Sequence, residues 1–247
     1  MSKIILLFIT FTILFTSCSK VNSNLSTDIP TISTEASIQK DESFIDEFVF
    51  LGESTTYHLK SRGVLSEGTK TKQVWAPKSG TLMLDFSTCD CRIVFPETNQ
   101  EMELTEALQI KHPKYMMLTF GLNGATNFFS QGKNYFQACY QKLIDTIRSA
   151  SPDTEIYINS CFPVAKNMDM SNYKIDSKTL NNYIDTINLW AKELALKNEL
   201  KYINTASTLK DSSGYLNKKF QLEDGYHLNA SAYKTILEYI KKNPQGE

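Results

Sequence analysis

The sequence predicts an α/β domain built on a parallel sheet. Two observations carry this. Short apolar runs without strict alternation suit strands covered on both faces, and apolar stripes at helical spacing fall between the later runs. Strands alternating with helices imply parallel pairing with right-handed crossovers. At 247 residues, 41% of them hydrophobic, the chain is long enough for one substantial core. No internal repeat and no second globular domain is visible in the sequence.

The domain is expected over residues 44–247. Its first strand is read at Glu47–Leu51, and Gly52-Glu53-Ser54 follows it directly. The second lies within Gln73–Phe86, where Val74-Trp75 and Thr81-Leu82-Met83-Leu84 bracket Pro77 and Gly80. That break predicts a turn or hairpin in place of one long strand. Tyr115–Phe120, Glu155–Asn159 and Tyr202–Asn204 are the third, fourth and fifth. A helix is expected over Glu101–Ile110. Phe136, Tyr140, Leu143, Ile144 and Ile147 share a second helical face, which ends before Ser151-Pro152. Leu180, Tyr183, Ile184, Ile187, Trp190, Ala191 and Leu194 form another, with Asp176 or Ser177 as N-cap. Tyr233, Ile236, Leu237 and Ile240 form the last, after Asn229.

The N-terminus has its own logic. Lys3 precedes an apolar run from Ile4 to Phe15, and Thr16-Ser17-Cys18 follows. This describes a secretory signal, too short for a comfortable membrane span. Cysteine after small residues resembles the bacterial lipoprotein lipobox, with Phe15 where leucine is usual. An ordinary cleaved signal is the alternative. The resemblance implies a lipoprotein signal peptide and lipobox over residues 1–18, cleaved before Cys18 and lipidated there, and a mature protein anchored at the bacterial cell surface or periplasmic face. Residues 19–43, rich in Ser, Thr and Asn, read as a flexible tether.

Basic and acidic residues nearly cancel, 26 against 27, and no basic stripe is present, which argues against a nucleic-acid partner. No HExxH, P-loop or dinucleotide pattern occurs, so neither metal nor organic cofactor is expected. Cys89, Cys91, Cys139 and Cys161 read as buried thiols, although export permits a disulfide.

Three short blocks could carry chemistry. Ser54 emerges at the carboxyl edge of the first strand, and ligands bind at that edge in open α/β sheets. A serine hydroxyl is a weak nucleophile that needs a base and a group to orient the base. Capping the next helix is its plainer role. Asp224-Gly225-Tyr226-His227 places a carboxylate and an imidazole on one turn, in a chain with only 3 histidines. The plainer reading is a loop turn with a surface histidine. Gly121-Leu122-Asn123 closes the third strand with a side-chain NH2 group that can face a developing oxyanion. An Asn123-Gly124 turn fits equally well. His58, one turn beyond Ser54, and His112, beside Pro113, read as surface and connector residues.

Together the ordered set Gly52-x-Ser54, Gly121-x-Asn123 and Asp224-x-x-His227 resembles the SGNH hydrolase superfamily, or GDSL esterases and lipases, over roughly residues 47–243. The resemblance implies a flavodoxin-like three-layer α/β/α sandwich with a five-stranded parallel sheet. It implies Ser54 as nucleophile, His227 as general base and acid, and Asp224 as the residue that orients His227. The oxyanion would be held by the Ser54 amide, the Asn123 side chain and a glycine amide, for which Gly80 is the choice and Gly68 the rival. Glu53 departs from the aspartate usual before the nucleophile, and Gly124 from the Asp that commonly follows the Asn. The expected function is extracytoplasmic cleavage of acyl esters, O-acetyl groups on a glycan or small esters. A non-catalytic surface lipoprotein binding a glycan or solute in the same cleft, or an O-acyltransferase, are the alternatives.

Overall fold

The computed structural model describes residues 43–171 and 174–247. The expected leader, Cys18 and nearly all of the expected tether lie outside the described residues. Among the described residues no helix is long and apolar enough to cross a membrane.

The chain begins with α1 (Ser43–Asp46), then β1 (Phe48–Gly52), α2 (Ser54–Ser61) and the short β2 (Val74–Trp75). An antiparallel hairpin follows, β3 (Arg92–Phe95) with β4 (Gln100–Glu103), then α3 (Leu104–Lys111), β5 (Tyr115–Thr119), α4 (Ala125–Gln131) and α5 (Lys133–Ala150). The last elements are β6 (Glu155–Asn159), α6 (Ser177–Lys197), β7 (Lys201–Ile203) and α7 (Ala230–Lys242). The five-stranded sheet has the order β2-β1-β5-β6-β7, parallel throughout. Reversal of strand order at β1 makes the gap between β1 and β5 the topological switch point, where such folds bind ligands.

Side-chain alternation decides the layers. Phe48, Phe50, Tyr115, Met117 and Tyr157 point to one face, where α7 contributes Tyr233, Ile236 and Ile240. Val49, Leu51, Met116, Leu118, Ile156 and Ile158 point to the other, beneath α3, α5 and α6. Every residue of β1 and β5 is buried, as strands sandwiched between helices require. The result is the three-layer α/β/α sandwich.

Two readings are corrected. Thr81–Leu84 forms no strand, although the Leu82 amide still donates to the Gly52 carbonyl at 3.3 Å. The expected helix over Glu101–Ile110 starts at Leu104, because Gln100–Glu103 pairs with β3 in a hairpin whose β4 strand is mostly exposed. The caps came out as their chemistry dictates. Asp176 accepts from the Thr179 amide at 2.7 Å, and Asn229 accepts from Ala232 at 3.1 Å.

Candidate active site

The register of β1 with β5 pairs Gly52 with Thr119, so Glu53-Ser54 and Phe120–Asn123 leave the sheet side by side. Gly52 is required here. A methyl group on it would overlap the Thr119 carbonyl oxygen and the Thr56 hydroxyl. Ser54 is the first residue of α2, with Glu53 in the cap position. Its backbone amide therefore belongs to a helix N-terminus, which favours negative charge.

Asp224 and His227 arrive from the far end of the chain. Their loop is closed by the Leu222 amide donating to the His227 carbonyl at 2.9 Å, and by Asn229 donating to Phe220 at 2.9 Å. The helix after it docks through the Tyr233 hydroxyl, which donates to the Thr55 carbonyl at 2.7 Å across 178 residues of sequence. This brings α7 against the first turn of α2. The Ser54 hydroxyl then lies 3.0 Å from His227 Nε2, and His227 Nδ1 lies 2.9 Å from Asp224 Oδ2. With Nδ1–H donating to the carboxylate, Nε2 is the lone pair facing the serine proton.

Burial works to raise the Asp224 carboxyl, but the backbone N–H groups of His227 and Tyr226, at 2.9 and 3.0 Å, and the His227 ring together hold it below the usual range. Asp224 thus stays ionised beside the imidazole. Its side chain is 38% exposed against 17% for His227. The charge is wetted from outside while the ring is sheltered.

Glu53 is only 1% exposed, and its Oε1 accepts from the Gly121 amide at 2.8 Å and the Asn123 amide at 3.0 Å. One buried oxygen thereby ties the end of β1 to the turn after β5. Burial pushes this carboxyl up to about 8, against which those amides and that of Leu122 pull down only in part. Near neutral pH it is largely a neutral acid.

The Asn123 side chain comes to the same place as the Ser54 amide. Both donate to one atom, Thr81 Oγ1, at 3.1 and 3.0 Å. Gly80, expected as an oxyanion donor, does not offer its amide. That N–H closes a turn by donating to the Pro77 carbonyl at 2.9 Å, and the rival Gly68 amide is likewise spent on Leu65 at 3.0 Å.

Sequence reasoning also misplaced His58. It is half-buried, and its ring centroid sits 4.4 Å from that of His227, while Tyr226 flanks His227 at 4.1 Å. Burial first, then the neighbouring His227 and Arg62, push the His58 imidazole down to about 4, so it stays neutral beside His227. Its buried Nδ1 has no hydrogen-bond partner. The signal was present in the sequence: His58 is four residues after Ser54, hence one turn along the same helical face. Nothing in the sequence pointed to Thr81. His112 lies elsewhere, ending α3 and bonding to Ser151 at 3.2 Å.

A cavity of about 220 Å³ adjoins the site, lined by Leu122, Asn123, Gly124, Met168, Leu180 and Tyr226. A larger one, about 490 Å³, opens at the amino ends of β1 and β5 near Glu47 and Lys114, and contains none of these groups. Among the described residues, no cluster of three or more His, Cys, Asp or Glu side chains could hold a metal ion, and Cys89, Cys91, Cys139 and Cys161 are free thiols.

A sequence profile of the GDSL-like lipase/acylhydrolase family matches residues 50–235. The chain belongs to this family and is a serine ester hydrolase. No curated protein matches the sequence significantly. Among solved structures, a Streptococcus pneumonia protein provisionally described as a platelet activating factor superposes with a TM-score of 0.51. It is 18% identical, covering 83% of this chain and 89% of that one, and it shares the fold. The periplasmic domain of a lipopolysaccharide acetyltransferase from Salmonella ser. Paratyphi A is 14% identical, with a TM-score of 0.49 over 80% of this chain and 83% of that one. An acetylxylan esterase from Geobacillus stearothermophilus is 12% identical, with a TM-score of 0.42 over 56% and 62%.

Two predictions follow from the groups beneath the site. An unfolded chain releases the Glu53 proton near 4.5, whereas the folded one holds it to about 8. The stability this carboxyl contributes is therefore complete below 4.5 and is lost as pH rises toward 8, at up to about 1.4 kcal/mol per pH unit. Glu53→Gln keeps the acceptor oxygen and cannot ionise. Denaturant unfolding across that window should slope less steeply in the variant than in wild type, and parallel slopes would show that Glu53 does not titrate there. For His58, replacement by Phe preserves a ring against His227 and removes an unpaired nitrogen, so kcat should change little. His58→Ala should lower kcat about tenfold with KM nearly constant, by loosening the imidazole. Equal kcat values for the two variants would exclude a positioning role.

Proposed function

We propose that the protein cleaves small acyl esters at the extracytoplasmic face of a bacterial membrane, using Ser54, His227 and Asp224 as a triad. The observation that carries this reading is the continuous contact chain of 3.0 Å from hydroxyl to imidazole and 2.9 Å from imidazole to carboxylate.

The chemistry follows from the polarity of that chain. Ser54 Oγ attacks the ester carbonyl carbon while His227 Nε2 takes its proton. Asp224 stabilises the resulting imidazolium and keeps the ring in the tautomer that presents Nε2. The carbonyl oxygen, now an oxyanion, is received by the Ser54 amide and the Asn123 NH2 group. On collapse of the tetrahedral intermediate, Nε2–H protonates the departing alcohol and an acyl-serine remains. Water, deprotonated by the same nitrogen, then releases the acid and restores the hydroxyl.

A small acyl group, with acetyl on a glycan the foremost case, suits the modest cavity of about 220 Å³ beside Asn123, which has a polar edge at Asn123 and Tyr226. The location rests on the leader, Cys18 and the following polar segment. That part of the reading is tested by fractionation: Cys18→Ala should move the protein from the membrane to the soluble fraction, and an unchanged distribution would remove the lipid anchor.

For the reaction, the soluble domain should hydrolyse p-nitrophenyl acetate, and Ser54→Ala should lose about ten-thousandfold in kcat. Mass spectrometry should find a phosphonate probe on Ser54. Equal rates for wild type and Ser54→Ala would transfer the cleft to a binding role.

A further inference from the structure

The point where the two oxyanion donors converge is already occupied. The Ser54 amide and the Asn123 NH2 group meet at Thr81 Oγ1, at 3.0 and 3.1 Å. A tetrahedral intermediate needs donors 2.7–3.1 Å from its oxyanion, and the neutral Thr81 oxygen lies within that range of both. The Thr81 hydroxyl spends its own proton on the Leu82 carbonyl, at 3.3 Å, which leaves its oxygen lone pairs turned to the two donors. A substrate carbonyl oxygen and Thr81 Oγ1 cannot both sit there.

We propose that Thr81 is a built-in occupant of the oxyanion site, a stand-in that the ester must displace before Ser54 can acylate. This deepens the hydrolase reading above and rests on it. The arrangement has a physical reason. Both donors are half-buried, and Asn123 Nδ2 has a longer second acceptor in the Leu82 carbonyl at 3.5 Å; the hydroxyl keeps the two N–H groups satisfied and convergent between turnovers.

The segment can yield. Thr81 is half-buried, follows Gly80 at a φ of +74°, and lies outside regular secondary structure. Because its χ1 is restricted by β-branching, the hydroxyl leaves by a rotamer jump or a shift of this loop, not by a small drift. Displacement draws on binding energy from the rest of the substrate. Minimal esters have little of that to spend, so Thr81 selects for substrates with a recognised alcohol or acyl portion.

The test uses a methyl p-nitrophenyl phosphonate ester, in which Ser54 Oγ bonds to phosphorus and p-nitrophenolate leaves. Thr81→Ala empties the site and should be phosphonylated at Ser54 about tenfold faster than wild type, with a matching rise in kcat/KM for p-nitrophenyl acetate. Thr81→Ser restores a hydroxyl and should return most of the way to the wild-type rate. A Thr81→Ala protein that is folded by circular dichroism but reacts no faster, or more slowly, would overturn the proposal and make Thr81 a supporting donor. A crystal structure of phosphonylated wild-type protein gives a second reading that needs no variant. There the phosphonyl oxygen should hold both donors, with Thr81 Oγ1 moved out of reach. Thr81 still bonded to both would end the proposal while leaving the triad intact. Wild type that reacts at no serine would instead sink the hydrolase reading, and the stand-in with it.

Discussion

A single buried oxygen, Glu53 Oε1, sets the spacing on which the rest of the site depends. It grips the amides of Gly121 and Asn123 from beneath, while its own backbone delivers Ser54 into the first turn of α2. The Ser54 amide and the Asn123 turn are therefore both tied to one residue. At 1% exposure the Glu53 carboxyl is withdrawn from water, which strengthens its hold on those amides. The second half of the site is held by different means. Tyr233 bonds to the Thr55 carbonyl, which presses α7 against α2 and carries His227 to the serine.

These two constraints meet at Ser54 from opposite layers. The turn after β5 approaches from the sheet edge, and the Asp224–His227 loop from the layer that packs on Phe48 and Phe50. Parallel strands make this economical. Because β1 and β5 run the same way in register, both deliver their following turns to the same edge, and the change of direction in strand order opens the cleft between them.

Much of this could be read from residue patterns. The buried strands were legible because both faces are covered, which leaves uninterrupted apolar runs such as Phe48–Leu51 and Tyr115–Leu118. Helix starts at Asp176 and Asn229 were legible because capping chemistry is local. The β3–β4 hairpin was not. Its second strand is Gln-Glu-Met-Glu with one buried residue, so it carries no apolar signature and merges by eye into the helix beyond it. At the site, Ser54, Asn123, Asp224 and His227 announced themselves by residue type beside strand and helix ends. Gly80 misled, since a glycine amide is a donor only if its own turn leaves it free, and the Pro77 carbonyl does not. Thr81 depends on where a loop lands in space, which spacing along one chain does not encode, whereas His58, one turn after Ser54 in α2, could have been read from helical spacing.

The Asp224–His227 turn carries its own internal bonds, and the Ala165 amide anchors it from outside by donating to the Gly225 carbonyl at 2.7 Å. Asp224 Oδ1 holds the amides of Tyr226 and His227 while Oδ2 holds the ring, so acid and base are fixed to each other by four consecutive residues. The ring and the carboxylate are thus aligned within one turn, while the contact from Nε2 to the Ser54 hydroxyl joins separate parts of the chain. The first contact is local in sequence, whereas the second joins residues 173 apart, so the long-range packing of α7 on α2 is what completes the row.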